Sequence, residues 1–141
     1  MNKCIEAIEQ VLIDAEIDYV IDRDAEVPEV RVRRKGAANN TYRIRFIARE
    51  NGEDLSVRVF CLLSGLSEEQ KLRILPLLNE YNMKYGFFGI YCDKDGDVNL
   101  GYDFPKKSKA PEKCVLEIIN RIAWIVDEIY PELRSVIGDA R

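Results

Sequence analysis

The chain has 141 residues, of which 47% are hydrophobic and 33% are charged, and its formal net charge is −4 at pH 7. This length fits one domain, which we place over residues 1–141. The composition excludes collagen-like, mucin-like and disordered chains. No apolar run approaches the ~18 residues that a membrane-spanning helix needs. Acidic residues near the N-terminus argue against a signal peptide, so we expect a cytoplasmic protein.

The residue types that carry most catalytic and metal chemistry are scarce. There is no histidine, which excludes a His-based catalytic triad. The four cysteines are widely separated, without the short spacing typical of zinc ligands, and we interpret them as small, buried and reduced. Residues 93–97 (DKDGD) lack the glycine and glutamate positions of an EF-hand, so their aspartates are interpreted as turn residues. We expect no enzyme activity, no cofactor and no metal site.

The first third of the chain predicts a helix followed by strands. Residues 3–16 carry apolar residues at steps of three and four, which indicates one buried helix face. These apolar residues are Ile5, Ile8, Leu12 and Ala15. Residues 19–21 predict a short first strand. Residues 27–35 predict a second strand, which either lies at an edge or starts after Pro28.

A β-hairpin is predicted around Asn51-Gly52, because Asn-Gly suits a two-residue turn in which both positions have positive φ. A two-residue loop fixes the register, so that the numbers of paired residues sum to 103. The predicted pairs are Arg43–Phe60, Ile44–Val59, Arg45–Arg58, Phe46–Val57, Ile47–Ser56, Ala48–Leu55 and Arg49–Asp54. The hydrophobic pattern supports the same register, since it places apolar residues on one face.

A second helix is predicted from the capping box of Ser67 and Gln70. We expect its apolar face to carry Leu72, Leu75, Leu78 and Tyr81. Pro76 should kink this helix or break it in two, and Gly86 should end it. Asn79 and Asn82 share one face of this helix, and we interpret them as binding a neighbouring loop or strand end.

The last third predicts a second hairpin and a third helix. A two-residue turn at Asp95-Gly96 gives pairs that sum to 191. These pairs are Tyr91–Leu100, Gly89–Tyr102 and Phe87–Phe104. The final helix should start at Pro111 and stop at Pro131. The element order is therefore helix, strands, helix, two strands, helix. It predicts an α+β fold in which an antiparallel sheet of about five strands is flanked by three helices.

Charge is segregated along the chain. Residues 14–29 contain seven acidic residues and one arginine, whereas residues 30–49 contain seven basic residues and none that is acidic. The strand pattern places a set of arginines on the side opposite the apolar positions. We name this set, with two apolar neighbours, the arginine face: Arg31, Arg33, Arg43, Arg45, Ile47, Arg58 and Phe60. Either the acidic strand around residues 18–22 neutralises it, or it receives a partner.

Residues 78–93 (LNEYNMKYGFFGIYCD), Asp95-Gly96 and residues 126–133 (VDEIYPEL) together carry a family resemblance. The chain resembles the putative bacterial sensory transduction regulator family, whose members are YbjN-like domains. This family looks like the type III secretion chaperones in fold and is often dimeric. The resemblance implies a non-enzymatic protein-binding or regulatory role in the bacterial cytoplasm. It brings no catalytic residues to transfer.

We therefore expect a chaperone-like domain that binds a protein through the arginine face and forms a homodimer. The homodimer expectation depends on apolar residues predicted to be exposed, which are Ile47, Phe60, Phe88 and Ile90. One alternative is a nucleic-acid binder that uses the arginines, although the sequence pI of about 5.0 argues against it. A second alternative is a small-molecule site between the aromatic hairpin and the last helix.

Overall fold

A computed structural model describes residues 3–48, 55–104 and 110–138. Its elements follow the predicted order, and the α+β fold class is confirmed. In chain order they are α1 (Lys3–Asp14), β1 (Val20–Asp22), β2 (Glu29–Lys35), β3 (Thr41–Ala48), β4 (Leu55–Leu63), α2 (Glu68–Lys84), β5 (Gly89–Cys92), β6 (Val98–Asp103), a 3₁₀ turn (Pro111–Cys114) and α3 (Val115–Ile137). The sheet has six strands rather than about five, because both β1 and β2 belong to it.

The strands form one antiparallel sheet in the order β1-β2-β3-β4-β6-β5. The first hairpin register is confirmed from Arg45–Arg58 to Ala48–Leu55, where the paired numbers sum to 103. The predicted turn at Asn51-Gly52 and the pair Arg49–Asp54 lie outside the described residues. The pairing of β3 with β4 does not continue to Ile44–Val59 and Arg43–Phe60. Beyond Val59, β4 is irregular, with a register shift against β6.

The register predicted for the second hairpin is wrong by one residue. Ile90 pairs with Leu100 and Gly89 with Gly101, so that the numbers sum to 190. The loop has three residues rather than two: Asp93 N donates to Asp97 O (2.9 Å) and Gly96 adopts φ 82°. Because a slip of one residue exchanges the two faces of a strand, Ile90 is 1% exposed instead of lying on the surface.

The core lies between one face of the sheet and the three helices. α1 packs against β2 and β3, and α2 packs against β5 and α3. The buried strand residues alternate with the arginines. On this face they include Val30, Val32, Ile44, Phe46, Val57 and Val59, all of which are 0% exposed. Across residues 3–48, 55–104 and 110–138, none of the helices is both long and apolar enough to cross a membrane.

The capping box of α2 is confirmed, since Gln70 N donates to Ser67 Oγ (3.1 Å) and Ser67 N donates to Gln70 Oε1 (2.9 Å). The predicted apolar face of α2 is wrong in part. Leu72 is 69% and Leu75 is 51% exposed, and Ile74 is buried together with Leu78 and Tyr81. The helix packs against its neighbours through Ile74, Leu78 and Tyr81, so its buried face is rotated relative to the predicted apolar face.

Neither internal proline ends a helix. α2 continues through Pro76, and α3 continues through Pro131 to Ile137, six residues beyond the predicted stop. Both prolines are exposed. On that side of a helix the carbonyl that loses its hydrogen-bond donor can be hydrated.

The interpretation of the cysteines as buried is wrong for two of the four. Cys61 and Cys114 are exposed, whereas Cys4 and Cys92 are half-buried. Cys61 has φ 58° in the irregular part of β4, so it does not follow the in–out alternation of the strand. Burial raises the pKa of the Cys4 thiol to about 11, which makes it a poor nucleophile at neutral pH.

The edge strand β5 is held by a side chain of α2. Asn82 Nδ2 donates to Ile90 O (3.0 Å), and Ile90 N donates to Asn82 Oδ1 (2.8 Å). The amide therefore satisfies both backbone groups of one strand residue, as a neighbouring strand would. The predicted contact of the asparagine pair with a strand is confirmed for Asn82, whereas the Asn79 side chain makes no hydrogen bond among the described residues.

We predict that Asn82→Ala lowers the free energy of unfolding by about 1–2 kcal/mol, because it removes two hydrogen bonds from the edge strand. The matched control is Asn79→Ala, an exposed asparagine of the same helix without the strand hydrogen bonds, which should change it by less than about 0.5 kcal/mol. Urea denaturation followed by circular dichroism measures both values. Equal losses in the two variants would contradict the edge-strand role.

The opposite edge strand, β1, is held by a side chain of α1. Tyr19 Oη and Arg23 Nη2 each donate to Glu9 Oε2 at 2.5 Å. Tyr19 precedes β1 and Arg23 follows it, so one carboxylate fixes both ends of this three-residue strand. The hydrogen bonds, first from Arg23 and then from Tyr19, lower the pKa of Glu9 below its ordinary value of 4.5.

A carboxylate with a depressed pKa stabilises the native state above its unfolded pKa, and this stabilisation is lost as the pH falls through the folded pKa. We therefore predict that amide hydrogen exchange in β1, corrected for intrinsic rates, accelerates relative to β3 when the pH is lowered from about 6 to about 3.5. Glu9→Gln should show the faster exchange already at the higher pH. Glu6→Gln, on the same helix, is the control. Unchanged β1 exchange in Glu9→Gln would contradict the tether.

Candidate binding face

The structure places the predicted arginine face on the side of the sheet opposite the helices. Arg31 pairs with Arg45, and Arg45 pairs with Arg58, so one row of arginines crosses β2, β3 and β4. Arg33 pairs with Arg43 in the next row. Directly opposed like charges are unfavourable. Each row therefore needs either anionic neighbours within the fold or a binding partner from outside it.

The two apolar members of the face lie beside the first row. Phe60 is 40% exposed, and the guanidinium carbon of Arg45 lies 5.6 Å from the centroid of its ring. Ile47 is half-buried and pairs with Glu29 on one side and Ser56 on the other. The middle of the face therefore combines exposed aromatic surface with charge.

The first row is neutralised within the fold. Glu29 lies between two arginines, with Oε2 3.6 Å from Arg31 Nη1 and Oε1 3.6 Å from Arg45 Nη1. Asp103 Oδ1 lies 2.9 Å from Arg58 Nη1. The middle of the face is thus close to charge balance.

Of the two alternatives, neutralisation within the fold applies to the first row, but the acids that were expected to provide it, those of residues 18–22, do not. The antiparallel register of β1 places Asp22 opposite Glu29, another carboxylate. Among the described residues, neither Asp18 nor Asp22 forms an ion pair with an arginine of the face. The neutralising acids come from β2 and β6 instead.

Arg58 is fixed by the strand beside it. Its Nη1 donates to Val57 O (2.8 Å) and Tyr102 O (3.3 Å), in addition to the ion pair with Asp103. The side chain lies over Gly101, its cross-strand partner, where a Cβ atom would come within 2.9 Å of Arg58 Cδ. Arg58 is therefore a half-buried structural residue more than a free cation.

The second row keeps its charge. In the described part of the chain, no carboxylate lies within ion-pair distance of Arg33 or Arg43. The row opens into a groove of about 590 Å³ between β1, β2 and β3, which we call the basic groove. It is lined by Asp18, Tyr19, Val20, Arg31, Arg33, Arg34, Lys35, Thr41 and Arg43. Five cationic side chains thus face one carboxylate.

Sequence reasoning missed six of the nine lining residues as members of the site. Arg34 pairs with the buried Tyr42, so strand alternation places it on the helix side of the sheet. It lies near the end of β2, however, where it remains half-buried and reaches the groove. The signal available was the basic run from Arg33 to Lys35. Tyr19 and Thr41 carried no comparable signal.

A second concave region corresponds to the predicted small-molecule pocket between the aromatic hairpin and the last helix. It has a volume of about 240 Å³ and includes Phe87, Trp124 and Arg121. The Arg121 guanidinium carbon lies 5.4 Å from the Phe87 ring centroid. Tyr102 packs edge-on against Phe88 and Phe104 in the adjoining aromatic cluster. This volume is below the ~300 Å³ at which ligand pockets usually begin.

The aspartates of residues 93–97 organise their own loop. Asp93 Oδ1 accepts hydrogen bonds from Asp95 N (2.9 Å) and Asp97 N (3.1 Å), and its Oδ2 accepts one from Asn99 Nδ2 (2.9 Å). These bonds, that from the Asp97 backbone first, lower the pKa of Asp93. The carboxylate is thus engaged by hairpin donors, as the turn interpretation predicted.

The comparison with protein families agrees with the family resemblance. No curated protein is similar enough to this chain to count as a match. A family model matches residues 5–135, a span that runs from the first turn of α1 into the last turns of α3 and includes the whole arginine face. The family is described as a putative bacterial sensory transduction regulator. Because the match covers most of the chain, the protein belongs to the YbjN family.

Proposed function

We propose that this domain is a non-enzymatic regulatory domain of the bacterial cytoplasm that binds a protein partner, in a chaperone-like manner, through the middle of the arginine face. One observation carries the proposal: the helices cover only one side of the sheet, and the other side presents exposed Phe60 beside the Arg31–Arg45–Arg58 row. Membership of a regulator family supports the regulatory part of this proposal.

The partner segment that fits this surface is amphipathic. Phe60 and Ile47 offer apolar area, and desolvated aromatic contacts supply much of the affinity in protein interfaces. The three surrounding arginines are largely offset by two carboxylates, so together they form a polar rim that sets orientation. A strongly acidic segment would gain little here, because it would compete with Glu29 and Asp103 for the same guanidinium groups.

The roles of the perturbed tyrosines support the non-enzymatic part of the proposal. Tyr81 Oη donates to Glu132 Oε1 (2.5 Å), and Tyr85 Oη donates to Glu128. Burial and these hydrogen bonds raise the pKa of both tyrosines. Each bond joins α2 to α3, so these shifted groups are accounted for by helix packing rather than by a poised acid or base.

We predict that Phe60→Ser reduces capture of the partner about tenfold, since truncation of a central aromatic contact costs at least a factor of ten in affinity. The measurement is affinity capture by the purified, tagged domain from a lysate of the native cell, read by quantitative mass spectrometry. Leu72→Ser is the matched control, because Leu72 is an exposed apolar residue of α2, away from the sheet face.

Circular dichroism of both variants checks that folding is retained. Loss of every captured protein in Leu72→Ser with retention in Phe60→Ser would assign binding to α2 and overturn the proposal. Equal capture by Phe60→Ser and the parent chain would overturn it as well.

Self-association stays a prediction, and fewer exposed apolar residues support it than the sequence indicated. Phe88 and Ile90, which we expected on the surface, are 3% and 1% exposed and belong to the core. Ile47 and Phe60 remain for a symmetric interface, the commonest form of homodimer. We expect sedimentation equilibrium to show a dimer at high micromolar concentration, shifted toward monomer by Phe60→Ser. A monomer throughout that range would contradict the prediction.

A further inference from the structure

We propose that the basic groove is a binding site for a small molecule that bears a di- or triphosphate group. This inference goes beyond the proposed protein-binding function, and the two surfaces share Arg31 but have different central side chains. The protein-binding surface centres on Phe60, whereas the groove is built around Arg33 and Arg43.

The first argument is charge. The groove brings five cationic side chains and one carboxylate around a single volume of about 590 Å³. Within the described residues, the one ion pair that involves these cations is that of Arg31 with Glu29, at 3.6 Å. Arg33 faces Arg43 directly across the strands, an arrangement that is unfavourable until an anion lies between them. A multiply charged anion removes this repulsion.

The second argument is the type of donor. Four of the five cations are arginines, whose planar guanidinium groups bind phosphate oxygens in a bidentate manner. The hydroxyl of Thr41, which pairs with Lys35, adds a donor on the same side of the sheet. Linked phosphates concentrate negative charge within a few ångströms, which matches the close spacing of these side chains better than isolated carboxylates do.

The third argument is shape. β1 forms one wall of the groove, and Val20, which pairs with Arg31, supplies apolar surface on that wall. Val20 is 57% exposed although it is apolar. The volume lies in the range of about 300–1,000 Å³ typical of small-molecule sites. An apolar wall beside a cationic floor suits an organic phosphate, such as a nucleotide, whose base or other organic part contacts the wall.

A macromolecular polyanion fits the surface less well. A nucleic acid or an acidic peptide that extends from the groove along the sheet would next meet the row in which Glu29 and Asp103 have already neutralised the arginines. The surplus of positive charge is thus confined to one end of the sheet. Confinement favours a compact ligand.

The test is isothermal titration calorimetry of the full chain at about 0.15 M salt, where weak surface attraction is screened. ATP, inorganic tripolyphosphate and adenosine are the three probes. We expect ATP to bind one to one, tripolyphosphate to bind more weakly, and adenosine to give no signal. Equal binding of ATP and tripolyphosphate would support the site and assign it to the phosphates alone. Absence of binding by both would overturn the proposal.

The diagnostic variant is Arg33→Gln combined with Arg43→Gln, which should weaken ATP binding at least tenfold. Both residues are exposed, and their removal relieves repulsion, so the fold should be retained. Lys113→Gln combined with Arg134→Gln makes the same change in net charge at exposed positions outside the groove, and it should leave affinity unchanged. If both double variants weakened ATP binding equally, the effect would depend on net charge alone, and the proposed site would be overturned.

A decaglutamate peptide and a single-stranded oligonucleotide serve as competing probes. Binding of either one in the absence of ATP and tripolyphosphate binding would overturn the small-molecule proposal in favour of a macromolecular ligand. Phe60→Ser should bind ATP as the parent chain does, because Phe60 does not line the groove. The groove proposal and the protein-binding proposal can therefore fail separately.

Discussion

The alternation of side chains across β2, β3 and β4 is the constraint from which the other features of this protein follow. Burial of Val32, Ile44 and Phe46 against the helices turns the residues between them to the opposite side. The hydrophobic core thus determines where the arginines lie. The carboxylates around them determine how much of their positive charge remains unpaired. One end of the sheet receives acids from β2 and β6, whereas the other end receives almost none.

The two edge strands of the sheet are held by side chains rather than by further strands. A short edge strand with free backbone groups invites pairing with other chains. Here α2 covers β5 through the Asn82 amide, and α1 anchors β1 through the Glu9 carboxylate. The same two helices that bury the core therefore also hold both edge strands.

The parts of the fold that local chemistry determines could be predicted, while those set by tertiary packing could not. Turn chemistry and alternation together fixed the Arg45–Arg58 register, and the capping box fixed the start of α2. The register predicted for the second hairpin was wrong because a two-residue and a three-residue loop both suit Asp-Gly. A shift of one residue exchanges the two faces of the strand. The groove was not predicted because it depends on the register of β1 against β2 and on the contact of Glu9 with β1, and local sequence pattern carries no information on these long-range contacts.

The close approach of Arg58 to Gly101 couples two positions that are far apart in the sequence. A side chain at residue 101 requires the one at residue 58 to shift or to become shorter, and a shift disturbs its bonds to the neighbouring strand. Contacting residues of this kind show non-additive effects when both are changed. In related chains the two positions should accordingly vary together, with a long cation at 58 beside glycine at 101 and a small residue at 58 beside a side chain at 101. Such covariation would record a packing constraint at the border of the binding face, separate from any selection for a ligand.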